Sequence, residues 1–221
     1  MLWGRFRFLL IIYIYKLYSF NLYCDTMNIF LTWDSSWIWK ALFEKLSIDN
    51  DVFWVSRNGQ IKADLTQNKD IDLLTDKLEN TKFDIIILNA GRWYFGNFED
   101  GDLKTYEEII NLNLLANIKL LKKLNYDKKK TKIIFIWSII SKKFMKWASI
   151  YQASKFWLRW FAWWLKNEWY KIFFINPKIV DTNFHPKDID LSKFPQTSIE
   201  SIVNVVENIV FWKENRFEID L

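Results

Sequence analysis

The chain has 221 residues, 51% of them hydrophobic, which is enough for one domain with a full core and excludes both disorder and a small disulfide scaffold. A single cysteine, Cys24, excludes an internal disulfide and a cysteine-rich metal cluster, and makes a reducing cytoplasm the expected compartment. The formal net charge of +5 is scattered over 31 basic and 26 acidic residues, so nucleic acid is not an expected partner, and the run Lys128-Lys129-Lys130 reads as a solvated loop.

Residues 1–26 differ from all that follows. Arg5 and Arg7 precede eight apolar residues, 8–15, before Lys16 interrupts. A bilayer span needs about 20, so no membrane attachment is expected. No small-x-small cleavage site follows before Met27, which argues against a secretory signal. The expectation is an N-terminal extension, disordered or not translated, ahead of one domain over 27–221.

From Met27 onward, short apolar runs alternate with helical stretches, the pattern of strand-helix-strand units around a parallel sheet. Strands are expected at 29–32, 52–56, 85–89, 132–138, 171–176 and 217–220, and helices at 38–46, 69–78, 103–124, 149–168 and 198–211. The strands are rich in Ile, Phe and Val, as suits strands covered on both faces. A single doubly wound α/β domain of Rossmann type accounts for the chain after Met27.

The first strand runs into Thr32-Trp33-Asp34-Ser35-Ser36-Trp37-Ile38-Trp39 and then a helix. This is the turn where such folds bind dinucleotide phosphates, and it needs glycines so that the backbone can turn tightly and approach the pyrophosphate. With glycine in place of Trp33, Trp37 and Trp39, the segment reads T-G-D-S-S-G-I-G. That string closely resembles the cofactor motif of the short-chain dehydrogenase/reductase family.

The resemblance continues in family order. Leu88-Asn89-Ala90-Gly91 is similar to the family's N-A-G motif, Asp64-Leu65 falls where the family places an acidic residue near the adenine, and Asn113 matches its helix asparagine. Ser138 lies thirteen residues before Tyr151, and Tyr151-Gln152-Ala153-Ser154-Lys155 supplies the Tyr-x-x-x-Lys signature. Asn176-Pro177-Lys178-Ile179-Val180-Asp181-Thr182 resembles the family's P-G-x-V-x-T, with Lys178 at the usual glycine.

Spacing adds a physical reason. Tyr151 and Lys155 are four apart, so on a helix they share a face and the ammonium can approach the phenol. A phenol of reference pKa about 10 is a poor acid or base near neutrality, and a neighbouring cation is expected to favour its ionised form.

The resemblance implies catalytic roles for Ser138, Tyr151, Lys155 and Asn113. Tyr151 would exchange a proton with the substrate, Ser138 orient the carbonyl, Lys155 also hold the nicotinamide ribose, and Asn113 hold a water linking Lys155 to solvent. It implies cofactor contacts at Trp33, Ser35, Ser36, Trp37, Ile38, Trp39, Asp64, Leu65, Asn89, Ala90, Gly91, Pro177, Val180 and Thr182. Arg57 stands after the second strand where members preferring NAD carry an acid, and its charge suits a 2′-phosphate. NADP(H) is therefore expected over NAD(H).

The implied activity is hydride transfer between NADP(H) and a small carbonyl or alcohol substrate. The alternative is a catalytically silent Rossmann-type domain that binds a nucleotide or a partner. Many members pair through helices corresponding to 103–124 and 149–168, so a homo-oligomer is a further expectation. His185, the single histidine, has no second ligand near it and receives no role, and no metal is expected.

The chain holds 5 glycines and 14 tryptophans, where average usage of about 7% would give about 15 glycines. The tryptophans recur where the family commonly has or tolerates glycine: Trp33, Trp37, Trp39, Trp137 and Trp169. UGA is one base from the glycine codon GGA, and is read as tryptophan in one variant genetic code and as glycine in another. A gene using UGA for glycine, translated by the wrong table, would give this distribution, and the expectation is glycine at most of the 14 positions.

Overall fold

The structure, a computed structural model, describes residues 26–33, 37–180, 195–211 and 214–221. Expectations for 1–25, Asp34, Ser35, Ser36, Thr182 and His185 fall outside the described residues. Seven parallel strands form one sheet in the order β3-β2-β1-β4-β5-β6-β7. They are β1 (Asn28–Thr32), β2 (Asp51–Ser56), β3 (Ile61–Lys62), β4 (Ile85–Leu88), β5 (Lys132–Ile136), β6 (Lys171–Asn176) and β7 (Glu218–Asp220). The order reverses between β1 and β4, which creates the crevice at the carboxyl ends of the strands where ligands bind in such sheets.

Strand alternation sorts the core into two layers. Ile29, Leu31, Ile85, Ile87, Ile134 and Ile136 point to one face, against Ile38, Leu42 and Leu46 of α1 (Trp37–Leu46) and Ile202, Val206 and Ile209 of α6 (Ile199–Phe211). Phe30, Ile86, Leu88, Ile133 and Phe135 point to the other. There they meet α2 (Asn68–Lys77), α4 (Ala116–Lys123) and α5 (Ser149–Asn167). Apolar residues at adjacent strand positions are needed because both faces are covered, and this is the expected doubly wound domain.

The sequence pattern differs from the structure in two places. The stretch read as one helix over 103–124 is α3 (Leu103–Ile110), a π-helical turn (Asn111–Leu115) and then α4. The two-residue β3 was not expected, because it is too short to carry a period.

Helix α5 ends in a turn that favours glycine. Trp169 N–H donates to Lys166 O at 3.0 Å and Tyr170 N–H to Leu165 O at 3.2 Å, the paired bonds of a Schellman ending, and Trp169 has φ 72°. Left-handed backbone at a bulky residue costs on the order of 1–3 kcal/mol. Its indole is 79% exposed, so little packing offsets that cost.

The last strand locks the elements that will carry the site. Glu218 of β7 accepts from Arg159 Nε (2.8 Å) and Nη2 (3.0 Å) on α5 and from Asn176 Nδ2 (3.0 Å), and Lys142 Nζ lies 3.2 Å away. Burial alone would raise the Glu218 pKa, but these donors hold it below the ordinary carboxylate value. A depressed folded-state pKa stabilises the fold above the unfolded value, and that contribution is lost as pH falls through the folded one. Glu218→Gln should therefore lower stability by about 2 kcal/mol at neutral pH, and the difference from the parent should shrink below about pH 4. Thermal melts of both chains from pH 7 to pH 3 check this.

Candidate active site

The carboxyl ends of β4 and β5, the π turn and the first half of α5 converge on Gly91. A Cβ placed there would lie 3.4 Å from Asn113 Oδ1 and 3.5 Å from Lys155 Nζ. Asn113 and Lys155, expected from separate motifs, are thus brought together across a residue that carries no side chain.

Asn113 is fully buried within the π turn. Its Oδ1 accepts from Arg92 N–H at 2.8 Å, and its Nδ2 donates to Arg92 O at 2.8 Å and Ser154 Oγ at 2.9 Å. Ser154 Oγ in turn donates to Tyr151 O at 2.7 Å. Both amide hydrogens of Asn113 are therefore spent on bracing the loop after β4 against α5. A π turn inserts one residue into a helix, which re-aims the side chains around it, and such turns recur at functional sites.

Tyr151, Ser154, Lys155, Leu158 and Ala162 form the buried side of α5. Ser138 caps the short turn Ile139–Lys142, its Oγ accepting from Ile140 N–H at 3.3 Å, and its side chain faces the Tyr151 phenol closely enough to oppose the effect of burial on it. Ile139 N–H donates to Pro177 O at 2.9 Å, so the loop after β6 fixes the serine turn from behind. Thr32 Oγ1 accepts from Asn89 N–H (3.0 Å) and Ala90 N–H (3.2 Å), tying the β4 loop to the end of β1. Val180 is buried a few residues further on.

The expected effect of Lys155 on Tyr151 needs correcting. The ammonium lies over the Trp137 ring, 3.3 Å from its centroid, and 5.0 Å from the centroid of the Tyr151 ring. Burial pushes the Tyr151 phenol well above its ordinary value, only partly opposed by the Ser138 hydrogen bond, and burial also depresses the Lys155 ammonium. Helical spacing put the two on one face as expected, but the indole of Trp137 holds the cation, and desolvation outweighs the anticipated coulombic effect.

A second group of expected residues lines a cleft of about 390 Å³ along the carboxyl ends of β1, β2 and β3. Trp33, Arg57, Asp64 and Leu65 meet there, with Arg92 and Lys104. Asp64 Oδ1 accepts from Thr66 N–H (2.9 Å) and Oγ1 (2.8 Å), which fixes the carboxylate at the rim. Sequence reasoning missed Arg92 and Lys104. Arg92 directly follows Asn89-Ala90-Gly91, a position that could have marked it, and its guanidinium pairs with Glu108.

Aromatic rings gather beside the end of β1 and the start of α1: Trp33 lies tilted against Trp39 with centroids 4.0 Å apart, and Trp39 stacks on Trp54 at 4.9 Å. Trp33 Nε1 is buried without a hydrogen-bond partner among the described residues, as is Asn89 Nδ2. Ile38 packs into the core beneath α1, and Trp37 is that helix's first residue.

No curated protein sequence matches the chain. A short chain dehydrogenase family protein from Francisella tularensis superposes with a TM-score of 0.73 at 22% identity, covering 89% of this chain and 97% of that one. A short chain dehydrogenase from Burkholderia cenocepacia, solved in complex with NADP, gives 0.74 at 17% identity over 89% and 96%. A 3-ketoacyl-(acyl-carrier-protein) reductase from Brucella melitensis, complexed with NADH, gives 0.75 at 15% identity over 89% and 97%. These likenesses establish the fold. The sequence model of the short chain dehydrogenase family matches residues 56–190, more than half of the chain and the stretch that holds Asn113, Ser138, Tyr151 and Lys155. The chain belongs to the short chain dehydrogenase family.

Proposed function

We propose that this oxidoreductase moves hydride between NADP(H) and a small carbonyl or alcohol, with Tyr151 as the proton donor and acceptor. The observation that carries the reading is Tyr151 buried beside Ser138, one helical turn from the buried Lys155 on the same face of α5. Nothing in the packing of α5 requires a tyrosine and a lysine on its buried face, and burying an ammonium is costly.

In the reducing direction, Tyr151 gives its proton to the substrate oxygen as that oxygen gains negative charge. Ser138 holds the hydroxyl in place and offers a second hydrogen bond to the same oxygen. Lys155, one turn along the same buried face, keeps the ribose contact that the family resemblance implies, and Asn113 braces Arg92 and Ser154 so that Gly91 and α5 keep their approach. The nicotinamide, when bound, supplies or accepts the hydride. A phenol raised by burial stays protonated at neutral pH, which suits reduction of a carbonyl.

The residues around the cleft fit one half of the cofactor. Arg57 offers a charged fork for a 2′-phosphate, and Asp64 and Leu65 offer an edge for the adenine. The turn between β1 and α1 does not fit in the form written. Trp33 lines the cleft and lies against Trp39, and an indole at 33 or 37 would take space that a pyrophosphate needs; the buried Trp33 Nε1 has no hydrogen-bond partner among the described residues. Ser35, Ser36, Pro177, Val180 and Thr182 keep the cofactor contacts that the family resemblance implies. Pairing of two copies through α3, α4 and α5 is carried on the same ground, and light scattering of the purified chain would measure it.

The test is NADPH oxidation against a panel of small ketones and aldehydes, by a chain starting at Met27 with Trp33, Trp37 and Trp39 replaced by glycine. Oxidation that depends on the carbonyl supports the proposal. A chain that binds NADPH and reduces none of the panel contradicts it and favours the silent domain. Arg57→Asp should lower the preference for NADPH over NADH by about tenfold to a hundredfold, the worth of one or two charge-assisted hydrogen bonds. Kd values for both cofactors check that, and an unchanged ratio would remove Arg57 from the 2′-phosphate.

A further inference from the structure

Two described residues have left-handed backbone, and both are tryptophan: Trp147 at φ 60° and Trp169 at φ 72°. Glycine takes this conformation at no steric cost, Asn and Asp tolerate it, and a bulky residue there is an outlier. Tryptophan makes up 14 of the 221 residues, so chance placement would seldom put it at both.

Each position has a local reason to need that backbone. Trp169 closes α5 at the position that glycine takes in a Schellman ending, with both characteristic bonds formed at 3.0 and 3.2 Å. Trp147 lies two residues before α5, where its carbonyl accepts from Gly96 N–H at 2.7 Å. Neither indole offsets the strain by burial, Trp169 being 79% and Trp147 56% exposed, and Trp147 meets Phe95 edge-on at 5.9 Å.

The β1–α1 turn shows the same mismatch from the opposite direction. There the indoles are crowded rather than exposed, with Trp33 against Trp39 at 4.0 Å, Trp39 stacked on Trp54 at 4.9 Å, and Trp33 Nε1 buried without a partner among the described residues. At 147 and 169 the backbone asks for a residue without a side chain by its dihedral angles, and at 33 the buried, unpartnered indole nitrogen marks a side chain that its surroundings do not use.

We propose that the working form of this protein carries glycine at positions 147 and 169, and by the same exchange at 33, 37 and 39, because its gene's UGA codons are read as glycine in its own cell. The inference at 147 and 169 stands on backbone geometry alone. At the turn it rests also on the proposed cofactor, so the test uses no activity. Protein from its native source is digested with trypsin and the peptides are sequenced by mass spectrometry. Cleavage after Lys146 and Lys155 isolates position 147, cleavage after Lys166 and Lys171 isolates 169, and the peptide ending at Lys40 holds 33, 37 and 39. Glycine masses at all five positions, with UGA at the five codons, are the expected result. A tryptophan mass at any of them, or UGG at its codon, overturns the proposal there. Failure of the reductase reading would leave these masses unchanged, so the two ideas fail separately.

Discussion

Tyr151→Phe, made in a chain that binds NADPH, should lower kcat for carbonyl reduction by about 10²–10⁴-fold, the usual share of a positioned general acid. The cofactor Kd should move by no more than a few-fold. The substitution keeps the ring that packs edge-on against Trp93 at 6.4 Å and removes only the hydroxyl that faces Ser138, so the fold should survive. A loss of kcat with cofactor binding intact is the signature of an interaction made in the transition state.

The pH profile gives a second reading of the same group. Because burial raises the Tyr151 pKa, the protonated donor persists through the neutral range. Reduction should stay level there and fall only at strongly alkaline pH, and in the phenylalanine chain the residual rate should lose that alkaline limb. A limb near neutrality in the parent would mean that Lys155 depresses the phenol after all, as helical spacing alone suggested.

The second large effect is expected at the β1–α1 turn. With Trp33, Trp37 and Trp39 as written, NADPH should show no saturable binding. Replacing all three by glycine should tighten binding by about 10²–10⁴-fold, as two charge-assisted bonds from a helix N-terminus to the pyrophosphate become available. Nicotinamide fluorescence reads this directly. Equal binding by both forms would mean that the Trp33–Trp39–Trp54 stack lies beside the pyrophosphate path and not in it. Trp33→Ala alone should recover little, since Trp39 still lies against Trp54 at 4.9 Å.

Much of this arrangement was legible before any coordinates. Six of the seven strands stand within two residues of their expected ends, because runs such as Ile85–Leu88 carry no polar residue and a strand covered on both faces demands that. The π turn at Asn111–Leu115 was not legible, since Leu112 and Ala116 keep an apolar spacing that an unbroken helix would also satisfy. That turn decides where Asn113 points, so the asparagine's identity could be read and its hydrogen bonds to Arg92 and Ser154 could not.

The ammonium of Lys155 shows the same limit. Spacing fixes the helix face, whereas the position of Nζ depends on Trp137, which arrives from the end of β5. Among the cleft's basic residues, Arg57 was found from its place after a strand, while Lys104 lies one residue into α3 and reaches the cleft only through the fold. The tryptophans ran the other way. Composition flagged them first, and the dihedral angles at Trp147 and Trp169 then gave the anomaly a backbone cause.

The most direct test of the account is to follow the hydride itself. NADPH deuterated at the transferable position of the nicotinamide is incubated with the glycine-turn chain and a reducible ketone, and the product alcohol is examined by mass spectrometry and proton NMR. Deuterium on the carbinol carbon, in alcohol that the Tyr151→Phe chain forms about 10²–10⁴-fold more slowly, is the predicted result. Unlabelled alcohol, or no alcohol from a chain that binds the cofactor, would contradict it.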